Sequence, residues 1–158
     1  MEYVIMVPLL VLQIFLFPMT ANWLMNIWVD SRMDLALKDS ASHLGSSIQQ
    51  LYSIMNHDTV SAETTTYRPG LPPYIENHDY TATAALRNAV GSGANSSRIL
   101  DMRLSLSKTQ TTVATSVILG ANVIWNNSTF VSNSTNAVII AQKFWNGTDY
   151  VISLQFGN

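Results

Sequence analysis

The feature that most constrains this chain is an uncharged run near its N-terminus. Between Glu2 and Asp30 lie 27 consecutive residues, Tyr3 to Val29, of which none is charged and 20 are Val, Ile, Leu, Met, Phe, Tyr or Trp. As a helix this run would extend about 40 Å at 1.5 Å per residue, which exceeds the roughly 30 Å hydrocarbon core of a bilayer. Water is a poor environment for such a surface, so the run must end in lipid, in the protein's own core or among other copies of the chain.

Two simpler interpretations of the run are a secretory signal peptide and an ordinary membrane anchor. A signal peptide starts with basic residues and has an apolar core of about 7–15 residues, whereas this run follows Glu2 and is about twice as long. Membrane helices tolerate prolines and polar side chains mainly where neighbouring helices satisfy them. The run therefore favours helix partners as well as lipid, because it contains Pro8, Gln13, Pro18, Asn22 and Asn26.

The run continues into an amphipathic helix. Spacings of three and four residues place a series of apolar side chains on one helix face. These residues are Met33, Leu37, Ala41, Leu44, Ile48, Leu51 and Met55. The residues Asn56 to Thr59 are typical of a helix end. We therefore predict a single helix of about 55 residues, far longer than the 10–14 residues usual in globular proteins, and a helix of that length needs partners.

The rest of the chain changes from helical to strand periodicity. Threonine, proline and glycine between residues 59 and 80 predict an extended connector, and residues 81–90 are compatible with either a short helix or a strand. Alternation over Ile99 to Ser107 predicts a strand with one apolar face. Four further strands are predicted at 111–119, 122–125, 137–144 and 150–156. These stretches indicate an antiparallel sheet, one face of which packs on the amphipathic half of the helix.

The predicted fold class is α+β, with one long N-terminal helix packed on a small C-terminal antiparallel β domain. The helix covers residues 1–57, and its first 29 residues form a hydrophobic assembly or membrane segment. A connector follows at 58–97, and the β domain covers 98–158.

Composition and motifs argue against several classes of function. A net charge of -2 provides no basic field for nucleic acid, and the absence of cysteine removes disulfides and thiolate metal sites. His43, His57 and His78 have no zinc-like spacing, and the two Asn-His-Asp tripeptides are typical of helix ends and turns. We expect neither an enzyme nor a metal or cofactor site.

The C-terminal part is hydroxyl-rich and contains five tripeptides of the Asn-x-Ser/Thr form, the acceptor motif for N-glycosylation. From Thr59 to Asn158 there are 24 serines and threonines but only 11 charged residues. All five motifs fall in predicted loops or turns, so glycans would form a hydrated coat on an extracellular domain. The acceptor residues are Asn95, Asn126, Asn127, Asn133 and Asn146.

In layout, the whole chain resembles an archaeal type IV pilin-like protein. The long uncharged helix, its amphipathic continuation and the small Ser/Thr-rich β domain with sequons carry this resemblance. It implies a prepilin peptidase, an assembly machinery, insertion in the membrane before assembly, and a helical homopolymer outside the cell. Glu2 would correspond to the acidic residue near the mature N-terminus of the family, which usually stands at the fifth mature position. Either Met1 is then the N-terminus that the peptidase leaves, or the chain belongs to a divergent branch.

The resemblance implies a structural subunit that polymerises through its N-terminal helix and displays the β domain for adhesion or cell contact. The expected assembly interface consists of Glu2, Leu9, Leu12, Phe15, Leu16, Trp23, Leu24 and Ile27. A second interpretation stays open, namely a monomeric membrane-anchored extracellular domain that binds a ligand or partner protein.

Overall fold

The computed structural model describes residues 3–89 and 96–158, with side chains from residue 7 onward. The chain forms two compact units, Met1–Met33 and Asp34–Asn158. A single α-helix, α1 (Tyr3–Met55), supplies the described part of the first unit and the opening segment of the second. The described residues after α1 contain eight strands, so the predicted α+β fold class is confirmed.

The strands are arranged in two four-stranded sheets. Their bounds are β1 (Thr64–Tyr67), β2 (Tyr80–Asn88), β3 (Arg98–Leu106), β4 (Thr112–Leu119), β5 (Val123–Trp125), β6 (Thr129–Val131), β7 (Val138–Trp145) and β8 (Tyr150–Gly157). One sheet has the order β1-β7-β8-β5 and the other β4-β3-β2-β6. All pairs are antiparallel except β5 with β8, which is parallel.

The sheets differ from the single sheet that we predicted. The five predicted strands are present as β3, β4, β5, β7 and β8. Two more strands, β1 and β2, come from the range 58–97, where the segment of undecided type proves to be strand β2 at the centre of its sheet. β6 is only three residues long, too short for a periodic pattern to reveal. Short stretches of this kind become strands because a neighbouring strand satisfies their backbone groups.

The predicted apolar stripe of α1 is the core of the second unit. From Leu37 to Met55 every residue of the stripe is at most 4% exposed. The helix lies against β3 and β4 at Gly45, where an added Cβ would stand 2.9 Å from Val117 Cγ2 and 3.1 Å from Met102 Cε. Glycine at this point therefore allows the helix backbone to approach the sheet closely.

Side chains from the sheets hold the C-terminal end of α1. The last turn of the helix contains no basic residue. Lys143 of β7 supplies the cation instead, because its Nζ donates hydrogen bonds to the carbonyl oxygens of His57 (2.9 Å) and Val60 (2.8 Å). Nearby, the Tyr52 hydroxyl donates to Asn122 Oδ1 at 2.7 Å, and burial raises the pKa of that tyrosine.

Candidate functional site

The candidate functional site is an exposed apolar surface on the first half of α1. We call residues 3–29 of α1 the apolar segment. From residue 7 onward fifteen of its large apolar side chains are exposed, from 47% at Val11 to 78% at Phe17, and only Val29 is half-buried. They surround the helix on every side, whereas soluble proteins normally expose apolar patches of at most a few hundred Å². Covering fifteen such side chains would contribute on the order of 20–45 kcal/mol gross relative to water.

By length and composition, α1 can cross a membrane. Within Val7–Met55 the most apolar stretch of the helix is long enough to cross the hydrocarbon core, and none of that stretch is buried within the chain. The core helix of a soluble protein would be mostly buried, so the apolar segment does not have that role. Membrane anchors and signal sequences share these properties of length and composition.

Seven of the eight residues predicted to form the assembly interface lie in this segment. They are 48–72% exposed, and five of them follow one helix face at spacings of three, four, seven and four. The members of that face are Leu9, Leu12, Leu16, Trp23 and Ile27, with Phe15 and Leu24 on either side of it. The eighth predicted residue, Glu2, lies outside the described residues.

The helix passes through both prolines of the segment without interruption. Pro8 and Pro18 lie inside one continuous α-helix, so neither position is an unwound turn. Beside Pro18, the Thr20 hydroxyl donates to the carbonyl oxygens of Leu16 and Phe17, at 3.0 Å each. This bond satisfies the hydroxyl within its own helix, as serine and threonine do in apolar surroundings.

Three primary amides of the segment have no such internal partner. Gln13, Asn22 and Asn26 are exposed, and in the part of the chain that the structure describes their side chains make no hydrogen bond. In an apolar environment an unpaired amide costs about 1–3 kcal/mol or more. The amides are therefore the groups of this surface that most need an external partner.

The β domain presents the sequons at its loops. Asn126 and Asn127 lie between β5 and β6, Asn133 between β6 and β7, and Asn146 between β7 and β8; all four are exposed. Asn95 lies outside the described residues.

These asparagines differ in how far their side chains are engaged. Asn126 Nδ2 donates to Ser153 Oγ at 3.0 Å and to Gln155 Oε1 at 3.3 Å, so its amide nitrogen is held on the sheet. Asn146 uses only its oxygen, which accepts two backbone N–H bonds at 2.9 Å each. Within the described chain Asn127 makes no side-chain hydrogen bond, and it is freely accessible.

The histidines lie in different parts of the second unit. His57 follows the end of α1, where its Nδ1 is 2.9 Å from Thr59 Oγ1, and His78 closes a two-residue bridge with Ile75. Among residues 3–89 and 96–158 there is no group of three or more His, Cys, Asp or Glu that could hold a metal ion.

Sequence reasoning missed two buried polar groups. Lys143 is 5% exposed and carries the helix-end contacts described above; its place in the alternating inward row Ile139, Ala141, Lys143 was the available signal. Tyr80 is fully buried, its hydroxyl donates to Pro72 O at 2.9 Å, and burial raises its pKa to about 12.

Comparisons with protein-family models, with curated proteins and with solved structures give no match for this chain.

Proposed function

We propose that this chain is the structural subunit of an extracellular filament of the type IV pilus kind. In this proposal, copies polymerise through the apolar segment and display the β domain on the outside for adhesion or cell contact. Before assembly the segment lies in the membrane, and a prepilin peptidase and an assembly machinery act on it. The β domain carries N-linked glycans on its loops.

The observation that carries the proposal is the contrast between the two units of one chain. The second unit closes its own core, with the stripe from Leu37 to Met55 buried, whereas the apolar segment exposes fifteen large apolar side chains between Val7 and Trp28. A segment of this kind needs a continuous apolar cover along its whole length. Copies of the same helix supply such a cover after the segment leaves the membrane.

Lipid would bury the same apolar atoms equally well, so hydrophobic burial alone does not separate a polymer from a lone anchor. The three unpaired amides favour the polymer, because lipid tails offer no hydrogen-bonding groups. Neighbouring helices do offer them.

The proposal is tested by shearing cells and asking where the chain is found. In a filament subunit the chain enters the sheared extracellular material as filaments visible by electron microscopy. A chain that stays entirely in the membrane fraction would instead support the monomeric anchored domain. Mass spectrometry of the intact chain from the same material measures its N-terminus and any attached sugar.

A substitution in the apolar segment tests the assembly surface itself. We expect Leu12→Asp or Phe15→Asp to abolish filaments, because an aspartate in a packed apolar interface remains without a partner. Membrane insertion should persist. One central aspartate costs about 2.5–3.5 kcal/mol, whereas each Leu, Ile, Phe or Val contributes about 0.3–0.6 kcal/mol, and the segment has fourteen of these.

The matched control is Leu35→Asp, since Leu35 is also exposed (68%) on α1 but lies outside the apolar segment. This variant should still form filaments. Normal filaments from both Leu12→Asp and Phe15→Asp would show that the apolar segment is not the assembly surface.

A further inference from the structure

The three amides of the apolar segment occupy opposite sides of the helix. At about 100° per residue, Asn22 and Asn26 are about 40° apart and share one face, whereas Gln13 points about 180° away from Asn22. Along the axis Gln13 is about 13 Å from Asn22 and about 20 Å from Asn26 at 1.5 Å per residue. One helix therefore cannot pair its own amides, and within the described chain none has a partner.

The side of the helix that carries Gln13 has a shallow, open depression between its side chains. Leu10, Gln13, Phe17 and Pro18 are among the residues that line it. A shallow apolar surface with one amide fits a neighbouring helix that brings an amide among apolar side chains. The opposite face of this same helix, with Asn22 and Asn26, has that character.

We propose that Gln13 of one copy pairs with Asn22 or Asn26 of the next copy, in parallel helices displaced by about 13–20 Å along their axes. This inference rests on the proposed filament function and adds the stagger to it. Each primary amide both donates and accepts, so a Gln–Asn pair satisfies both side chains reciprocally.

The pairing is of the head-to-tail kind, because each copy uses one face for the preceding copy and the opposite face for the following one. Contacts of this kind do not close on themselves unless the rotation forms a ring, and they generate open helical assemblies. A bundle in a bilayer behaves differently. In parallel copies at equal depth, Gln13 of one copy is level with Gln13 of the next and lies about 13–20 Å along the axis from Asn22 and Asn26, so it cannot pair with either.

Disulfide trapping in assembled filaments tests the stagger. The natural chain contains no cysteine, so introduced thiols have no competitors. The double variant Q13C/N22C cannot form the bridge within one helix, because its thiols lie on opposite faces about 13 Å apart and a disulfide requires Cα atoms within about 7 Å. Q13C/N26C covers the longer displacement.

We expect mild oxidation of filaments from at least one double variant to give a ladder of covalent dimers, trimers and longer species on a non-reducing gel. The single variant Gln13→Cys should give no ladder and no dimer. The matched control is Q13C/T20C, whose second thiol replaces Thr20 near the same depth as Asn22 but on the face of Gln13, and it should also give no ladder.

The outcomes separate this inference from the function on which it rests. Filaments that give no ladder with either double variant overturn the pairing and leave the filament function intact. Dimers from Gln13→Cys alone, in chain that stays in the membrane and forms no filaments, overturn both. If the cysteine variants do not assemble, cryo-electron microscopy of the unaltered filament tests the pairing. Gln13 should then lie within hydrogen-bonding distance of Asn22 or Asn26 of a neighbouring helix, and any other pairing refutes the inference.

Discussion

Replacing Lys143 with methionine tests how the β domain holds the end of α1. The ammonium donates to the carbonyl oxygens of His57 and Val60 and lies 5.1 Å from the centre of the Tyr150 ring. Methionine keeps the apolar stem but removes the cation. The carbonyl of His57 keeps a second donor, the backbone N–H of Val60 at 3.1 Å, whereas the carbonyl of Val60 loses the donor that the side chain provides.

The size of the effect follows from three contributions. Two hydrogen bonds from a charged donor contribute about 3–6 kcal/mol, and the cation over the aromatic ring adds about 1 kcal/mol. The hydrogen-bond values already include the desolvation of the donor, and burial of the uncharged methionine offsets part of the loss. The carbonyl of His57 also keeps its second donor, so we expect Lys143→Met to lower the free energy of unfolding by about 2 kcal/mol.

The assay is thermal unfolding of the unit Asp34–Asn158, produced without the apolar segment and followed by circular dichroism. An unfolding entropy of about 2.1 cal/mol/K per residue converts 2 kcal/mol into a fall in Tm of about 8 °C. The control is Gln142→Met, because Gln142 is the exposed neighbour of Lys143 on the same strand and its loss should change Tm little. A Lys143→Met unit as stable as the unaltered one would refute the reasoning.

Three further predictions concern the same unit. Leu44→Ala should lower the free energy of unfolding in urea by about 2–5 kcal/mol, because Leu44 is fully buried. The control Leu35→Ala, at an exposed position, should change it by less than about 0.5 kcal/mol. Equal losses in the two variants would contradict the packing of α1. Tyr80 should ionise near pH 12 in a tyrosinate absorbance titration. The pKa of Tyr80 in the folded chain, about 12, exceeds the ordinary tyrosine value of about 10. The contribution of Tyr80 to stability is therefore complete below about pH 10 and is lost as the pH rises towards 12. Ionisation of Tyr80 together with the exposed tyrosines would contradict its burial. In glycosylated chain, Asn127→Gln should remove a glycan mass and Asn126→Gln should not, because only the amide nitrogen of Asn126 is held on the sheet; a glycan on Asn126 in intact-mass spectra would refute this.

Much of the fold was predictable because long periodic patterns leave few alternatives. Seven apolar residues at helical spacing predicted the buried stripe of α1, and the alternation around Met102 predicted β3 with its buried face. The short segments gave no comparable signal. β1, β2 and β6 are strands because they pair with β7, β3 and β2, and pairing between distant segments leaves no local trace in the sequence.

The candidate site was also predictable only in part. The sequence shows directly that the segment is apolar and that it contains amides and prolines, since an uncharged run of 27 residues is a property of composition alone. The contacts of Lys143 and Tyr80 were not readable, because they join residues that are far apart in the chain. Lys143 Nζ donates to the carbonyl oxygen of His57, 86 residues away, and the backbone N–H of Tyr80 donates to Ser132 Oγ, 52 residues away.

The sequence by itself determined that this chain has one surface that water cannot solvate, and where that surface begins and ends. Only the tertiary structure decided which half of α1 the chain covers by itself. The second half packs on β3 and β4, whose alternating apolar residues match its stripe, and so needs nothing more. Between Val7 and Trp28 the large apolar side chains of the apolar segment remain exposed, because they are spread around the whole helix and form no single stripe that a sheet face could match.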